Sequence, residues 1–87
     1  MICENLSTQN GRLYFAGRDT VELARRYGTP LYLMDEQRLR RNCRVYTENM
    51  ARCFGDALPL YASKALSCKR MYEIVAEEGM GADVVSA

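Results

Sequence analysis

The chain has 87 residues, 48% of them apolar and 26% charged, which is the composition of an ordinary globular protein rather than a disordered or membrane-embedded one. Twelve basic residues against eleven acidic ones leave a formal net charge of +1, so nothing points to nucleic acid or an anionic membrane as partner. Histidine is absent and the four cysteines form no CxxC pair, which excludes the usual zinc patterns and a histidine-activated nucleophile within this chain.

The opening "MICENLSTQNGR" lacks the basic start and apolar run of a signal peptide, and no stretch approaches the ~18 apolar residues of a spanning helix, so a cytoplasmic protein is expected. Cys3, Cys43, Cys53 and Cys68 are expected to be reduced and packed as small hydrophobes. "RLYFA" at 12–16 alternates between Gly11 and Gly17 as a strand or hairpin arm would. Asp19 followed by Glu22 predicts a capping box opening "TVELARRY", with Gly28 as its stop. "TPLYLMD" at 29–35 predicts a strand in which Leu31, Tyr32, Leu33 and Met34 form a short buried run.

Asp35 is placed to cap a long helix in which Leu39, Cys43, Tyr46, Met50 and Cys53 fall on one face. Arg38, Arg40, Arg41, Arg44 and Arg52 lie mostly off that face, as a solvated surface more than as a phosphate site. Gly55 ends the helix and "ALPLYAS" at 57–63 is the next strand. A second helix opens at Ser67 or Cys68 and runs to Glu78 with Met71, Ile74 and Val75 inward, and "ADVVS" at 82–86 follows as a β-branched strand. Strand, helix, strand at this spacing predicts a right-handed βαβ unit with two parallel strands. Such a pair needs further units to cover its faces and edges, so the expectation is an α/β protein of which these residues are a part.

Lys64 is one of two lysines among ten arginines, and it stands at the C-terminal end of a predicted strand. Functional groups of parallel α/β proteins gather at that end. Asp83 comes 19 residues later, about one βαβ repeat, which would bring both side chains to one pocket. A deprotonated lysine amine attacks carbonyls and forms Schiff bases, which arginine cannot do, and burial would favour the neutral amine. Position alone favours the plainer reading, a solvated strand-end residue.

"YGTPLY" at 27–32, "YASKA" at 61–65 and "GADVVS" at 81–86, in that order, resemble the barrel-type pyridoxal-phosphate-dependent decarboxylases of amino acids. Diaminopimelate decarboxylases are the nearest branch, ornithine and arginine decarboxylases and alanine racemase more distant ones. The resemblance implies the start of a pyridoxal-phosphate-binding (β/α)8 TIM barrel of alanine racemase-like type, preceded by strands of a separate β-domain. Residues 1–35 would then contribute to the β-domain, and residues 36–87 would form the entry helix and first βαβ unit of the barrel.

The same resemblance implies that Lys64 holds pyridoxal 5'-phosphate as a Schiff base, that Tyr61 and Ala62 line the cofactor side, and that Asp83 and, ranked below it, Ser86 lie near the cofactor. Leu66 departs from the asparagine common after "KA" in many relatives. The implied reaction is decarboxylation of meso-2,6-diaminopimelate to L-lysine and carbon dioxide by a homodimer. The rest of the site and most of a barrel of ~250 residues would lie outside these 87, leaving the chain alone inactive. A related decarboxylase of ornithine, arginine or a polyamine precursor, and a non-catalytic pyridoxal-phosphate-binding or vestigial protein, are the alternative readings.

Overall fold

The computed structural model of the chain describes residues 4–84, which form two compact units divided between Asp35 and Glu36. In the first unit, β1 (Leu6–Gln9), β2 (Arg12–Phe15) and β3 (Arg18–Asp19) make an antiparallel meander, and α1 (Thr20–Tyr27) follows directly. Two-residue turns set the register. Asn10 and Gly11, at φ 51° and 76°, join Gln9 to its partner Arg12, and Ala16 and Gly17, at φ 51° and 80°, join Phe15 to Arg18. Paired positive φ values of this kind match the right-handed twist of a hairpin, and an Asn-Gly step is the sequence best suited to them.

Asp19 serves both elements at once. One carboxylate oxygen accepts from the Val21 N–H at 2.9 Å as the helix cap, and the other meets the Arg12 guanidinium at 2.6 Å. The expected cap and the expected stop at Gly28, whose N–H donates to the Ala24 carbonyl at 2.8 Å, are both present. The strand expected at 29–35 is not. Residues 31–35 have no strand assignment, Tyr32 is 95% exposed, and Leu31 and Met34 are exposed as well. The run reads as buried only if a neighbouring strand hydrogen-bonds to it, and the described strands of this unit, β1 to β3, pair only among themselves.

The second unit runs α2 (Glu36–Phe54), β4 (Leu60–Ala62), a single 3₁₀ turn (Ser63–Ala65), α3 (Lys69–Glu77) and β5 (Gly81–Asp83). β4 and β5 are parallel with Leu60, Tyr61 and Ala62 opposite Gly81, Ala82 and Asp83, so the expected βαβ unit is present. Cys43, Met71 and Val75 form its core, with Leu39, Tyr61 and Met80 packed against them and Ile74 buried besides. Each such apolar side chain contributes roughly 1.5–3 kcal/mol on burial.

The inward face of α2 is narrower than its periodicity predicts. Cys43 is buried, but Tyr46 is 62% exposed and Cys53 is exposed. Helix length explains the difference: at 1.5 Å per residue α3 reaches roughly half the length of α2, so it covers only part of that face. The cysteines divide accordingly. Cys43 packs as a small hydrophobe, its thiol pushed up in pKa by burial, whereas Cys53 and Cys68 are free and exposed.

Two arginines of α2, Arg40 and Arg44, are spent on ion pairs within the unit. Arg40 bridges Glu36, Glu77 and Glu78, Arg44 reaches Glu78 at 3.0 Å, and Arg70 on α3 reaches back to Glu36 at 2.6 Å. These bonds hold the Glu36 and Glu78 carboxyls below the usual carboxylate range, Glu36 chiefly through Arg70 and Glu78 chiefly through Arg44. Among the described residues no helix is long and apolar enough to cross a membrane.

Candidate functional site

β4 and β5 end together, because Ala62 pairs with Asp83. Lys64 lies two residues past the end of β4, in the middle of the 3₁₀ turn, so Lys64 and Asp83 occupy the same C-terminal end of the parallel pair. Both are exposed. Burial of Lys64 at a barrel mouth is thus not a property of this unit by itself.

Tyr61 and Ala62 point to opposite faces of β4, as successive strand residues must. Tyr61 is half-buried against Cys43, Met71 and Val75, and its hydroxyl donates to the Leu66 carbonyl at 3.0 Å. Ala62 lies on the other face together with Leu60, Gly81 and Asp83, and is exposed. Close approach on that face is real: a Cβ on Gly81 would come within 2.6 Å of the Leu60 side chain. Tyr61 and Ala62 therefore do not line one surface in this unit. Ser86 lies outside the described residues.

Three hydroxyl residues, Ser63, Ser67 and Tyr72, were not read as part of the site from the sequence. Ser63, 3% exposed, is the one buried polar residue among those described, and its Oγ donates to the Asp83 carbonyl at 2.9 Å. The Ser63 carbonyl accepts from the Leu66 N–H at 3.2 Å and from Ser67 Oγ at 2.9 Å. Ser67 Oγ in turn lies 3.1 Å from the Tyr72 hydroxyl. Hydrogen bonding to Ser63 and Ser67 favours the phenolate and holds the Tyr72 pKa below its ordinary value. The available signal was a hydroxyl at position 63, where an otherwise apolar strand enters the core.

The helix that follows is opened by backbone rather than by a side chain. The Cys68 carbonyl accepts from the Met71 and Tyr72 N–H groups at 3.1 and 3.3 Å, and neither a Cys68 nor a Ser67 side-chain cap is present. Ser67 turns back toward the Lys64 turn instead. The arrangement is a primary amine on a short, multiply bonded turn, with a carboxylate at the end of the neighbouring strand.

This chain can now be set beside known proteins. A relative from Bacillus methanolicus named diaminopimelate decarboxylase is 41% identical over 78 residues, covering 90% of this chain and 18% of the relative. One from a Synechocystis strain, of the same name, is 39% identical over 79 residues, covering 90% of this chain and 17% of its own length. The crystal structure of diaminopimelate decarboxylase from M. jannaschii in complex with L-lysine superimposes on 95% of the chain with a TM-score of 0.78 at 32% identity. The chain matches one segment of the diaminopimelate decarboxylases. It spans about a fifth of the length of that decarboxylase structure. No protein-family model matches it. Likeness to the diaminopimelate decarboxylases thus covers both units, and it includes the turn that carries Lys64.

Proposed function

We propose that the polypeptide to which these residues belong decarboxylates meso-2,6-diaminopimelate to L-lysine, with pyridoxal phosphate held covalently on Lys64. The observation that carries this reading is a lysine just past the C-terminal end of a parallel strand, inside a stretch similar throughout to diaminopimelate decarboxylases. The residues present fit the attachment end of that cofactor: an exposed primary amine on a short turn, a carboxylate at the end of the paired strand, and a methyl side chain at Ala62 that leaves room. When bound, the cofactor supplies an electron-withdrawing ring that takes up the electron pair left as carbon dioxide departs.

The parts played by this chain follow from position. Lys64 Nζ would hold the cofactor's aldehyde carbon as a Schiff base, with water as the leaving group; Asp83 places a carboxylate at the same strand end, and Ala62 keeps the approach open. Tyr61 supports the strand from behind through its core contacts and its bond to Leu66. Ser86, which lies outside the described residues, is a further cofactor-side candidate.

In the same reading the residues up to Asp35 contribute to a β-domain, and those from Glu36 onward open a (β/α)8 barrel of a cytoplasmic homodimer. The antiparallel meander and the parallel βαβ unit support this division. The remaining cofactor and substrate contacts come from other parts of the polypeptide, so these 87 residues alone are expected to turn over no substrate.

Incubation of the purified protein with pyridoxal phosphate, reduction with borohydride and peptide mass mapping tests the reading. Preferential label on Lys64 over Lys69, the other lysine of the chain, is the expected result. Equal labelling of the two would mean ordinary surface amines and would overturn it. Parallel assays with diaminopimelate, ornithine and arginine decide the substrate, and release of carbon dioxide from either of the latter in preference would reassign it.

A further inference from the structure

We infer that Ser63 is a positioning residue for Lys64, setting the direction in which the lysine side chain leaves the sheet. The inference rests on the reading of Lys64 given above. Ser63 is the residue immediately before the lysine, and it is buried where the lysine is exposed. Its side chain ties the end of β4 to the end of β5 through the Asp83 carbonyl, 20 residues away. Its own carbonyl collects the Leu66 N–H and the Ser67 hydroxyl, which closes the turn on the other side of Lys64. Lys64 is thus held between two fixed points, one on each flank.

The geometry has a directional consequence. A lysine side chain has four rotatable bonds, so only its backbone origin can be fixed by the fold. That origin is set by the strand end and by the 3₁₀ turn, and Ser63 is the residue common to both. The same bond holds the backbone of Asp83 at a fixed distance from the turn, so the amine and the carboxylate are referred to one anchor. A buried serine that merely satisfied itself would need one partner, whereas this one joins three segments: β4, β5 and the start of the link to α3.

The test compares the wild-type protein, produced as the full polypeptide its gene encodes, with Ser63→Ala, Ser63→Thr and Ser67→Ala. Each is incubated with pyridoxal phosphate, trapped with borohydride and mapped, and the ratio of label on Lys64 to label on Lys69 is read alongside the thermal midpoint. The expected result is that Ser63→Ala lowers the ratio about two- to tenfold, the range spanned by one ordinary hydrogen bond. Ser63→Thr, which keeps the hydroxyl, restores it. Ser67→Ala leaves the Asp83 tie and the Leu66 N–H bond to the Ser63 carbonyl in place, and is expected to lower the ratio less than Ser63→Ala does.

A Ser63→Ala protein that folds and retains the wild-type ratio overturns the inference, as does an equal loss in Ser67→Ala. If Ser63→Ala does not fold, the threonine variant decides: a folded Ser63→Thr protein with a wild-type ratio supports the hydroxyl's role, and a lost ratio refutes it. Absence of any Lys64 preference in the wild type overturns the reading of Lys64 itself, and this inference with it. That outcome is separate from a wild-type preference indifferent to Ser63.

Discussion

Ser63 and Lys64 are adjacent in sequence and opposite in environment, and the contrast shows how an exposed lysine can start from a fixed backbone. The serine takes the buried position on the strand's inward face and spends its hydroxyl on the next strand, while the lysine takes the outward one. The cluster continues through Ser67 to Tyr72, whose phenol is held below its ordinary pKa by the two serine hydroxyls, that of Ser63 contributing most. Removing a serine hydroxyl from this cluster weakens the effect. Ser67→Ala is therefore expected to shift the Tyr72 titration upward, toward an ordinary tyrosine, and Ser63→Ala to shift it further. Phenolate absorbance during alkaline titration, with Tyr72→Phe as the blank, reads the change; a Tyr72 midpoint unmoved in both variants would show that the serines do not reach it.

Among the elements, α3 and its exit determine where β5 begins. The helix ends in a paired-bond cap: the Gly79 N–H donates to the Ala76 carbonyl at 3.1 Å and the Met80 N–H to the Val75 carbonyl at 2.8 Å. Gly79 sits at φ 81°, a conformation that costs a residue bearing a Cβ about 1–2 kcal/mol. Met80, the next residue, packs back on Val75 and its neighbours, so the cap also delivers β5 to β4. Gly79→Ala is expected to destabilise the protein by about 1–2 kcal/mol in denaturant titration. The same substitution should loosen protection of the Ala62 and Asp83 amides in hydrogen exchange, linking a helix end to the Lys64 site; an unchanged midpoint would remove this account of the turn.

The ion pairs between α2 and α3 act differently from the core beneath them. Exposed pairs contribute little stability compared with burial of Met71, Ile74 and Val75, so their role is to hold the two helices in one register. The folded-state pKa values of Glu36 and Glu78 are depressed, so the stability they add is fully present above the ordinary carboxyl value of 4.5 and lost as pH falls through the lower folded values. Thermal midpoints measured from about pH 7 down to about pH 3 should fall in that lower window, and added salt should lessen the slope. Arg44→Met combined with Arg70→Met should flatten the same curve, because it removes the chief partner of each carboxylate. An identical slope in the variant would assign the acid sensitivity to other groups.

At the scale of the whole molecule, the sequence made most elements legible and left their surroundings obscure. Asp19 and Gly28 bounded α1, Gly55 ended α2, and Met71, Ile74 and Val75 faced inward, because caps and helical periodicity are local signals. The strand expected at 29–35 and the inward Tyr46 and Cys53 failed for the opposite reason, since each needs a neighbour that only tertiary structure supplies. The shared strand end of Lys64 and Asp83 was legible from strand spacing, but the Ser63 tie between their strands was not, because a hydrogen bond across 20 residues has no periodicity.

The same missing neighbours set the behaviour of the chain by itself. Among the described residues β4 and β5 pair only with each other, and Leu58, Leu60 and Val84 leave more than half of their surface exposed beside them. Open edges of parallel strands with apolar side chains nearby recruit further strands. The 87 residues produced alone are therefore expected to elute and scatter above the 9.9 kDa of a monomer, increasingly so with concentration. Leu60→Glu should shift that equilibrium back toward monomer, since its side chain is exposed and a charge there disfavours pairing with a further strand. A monomer at all concentrations, unfolding cooperatively, would mean that the parallel pair is self-sufficient and that the exposed leucines have no recruiting role.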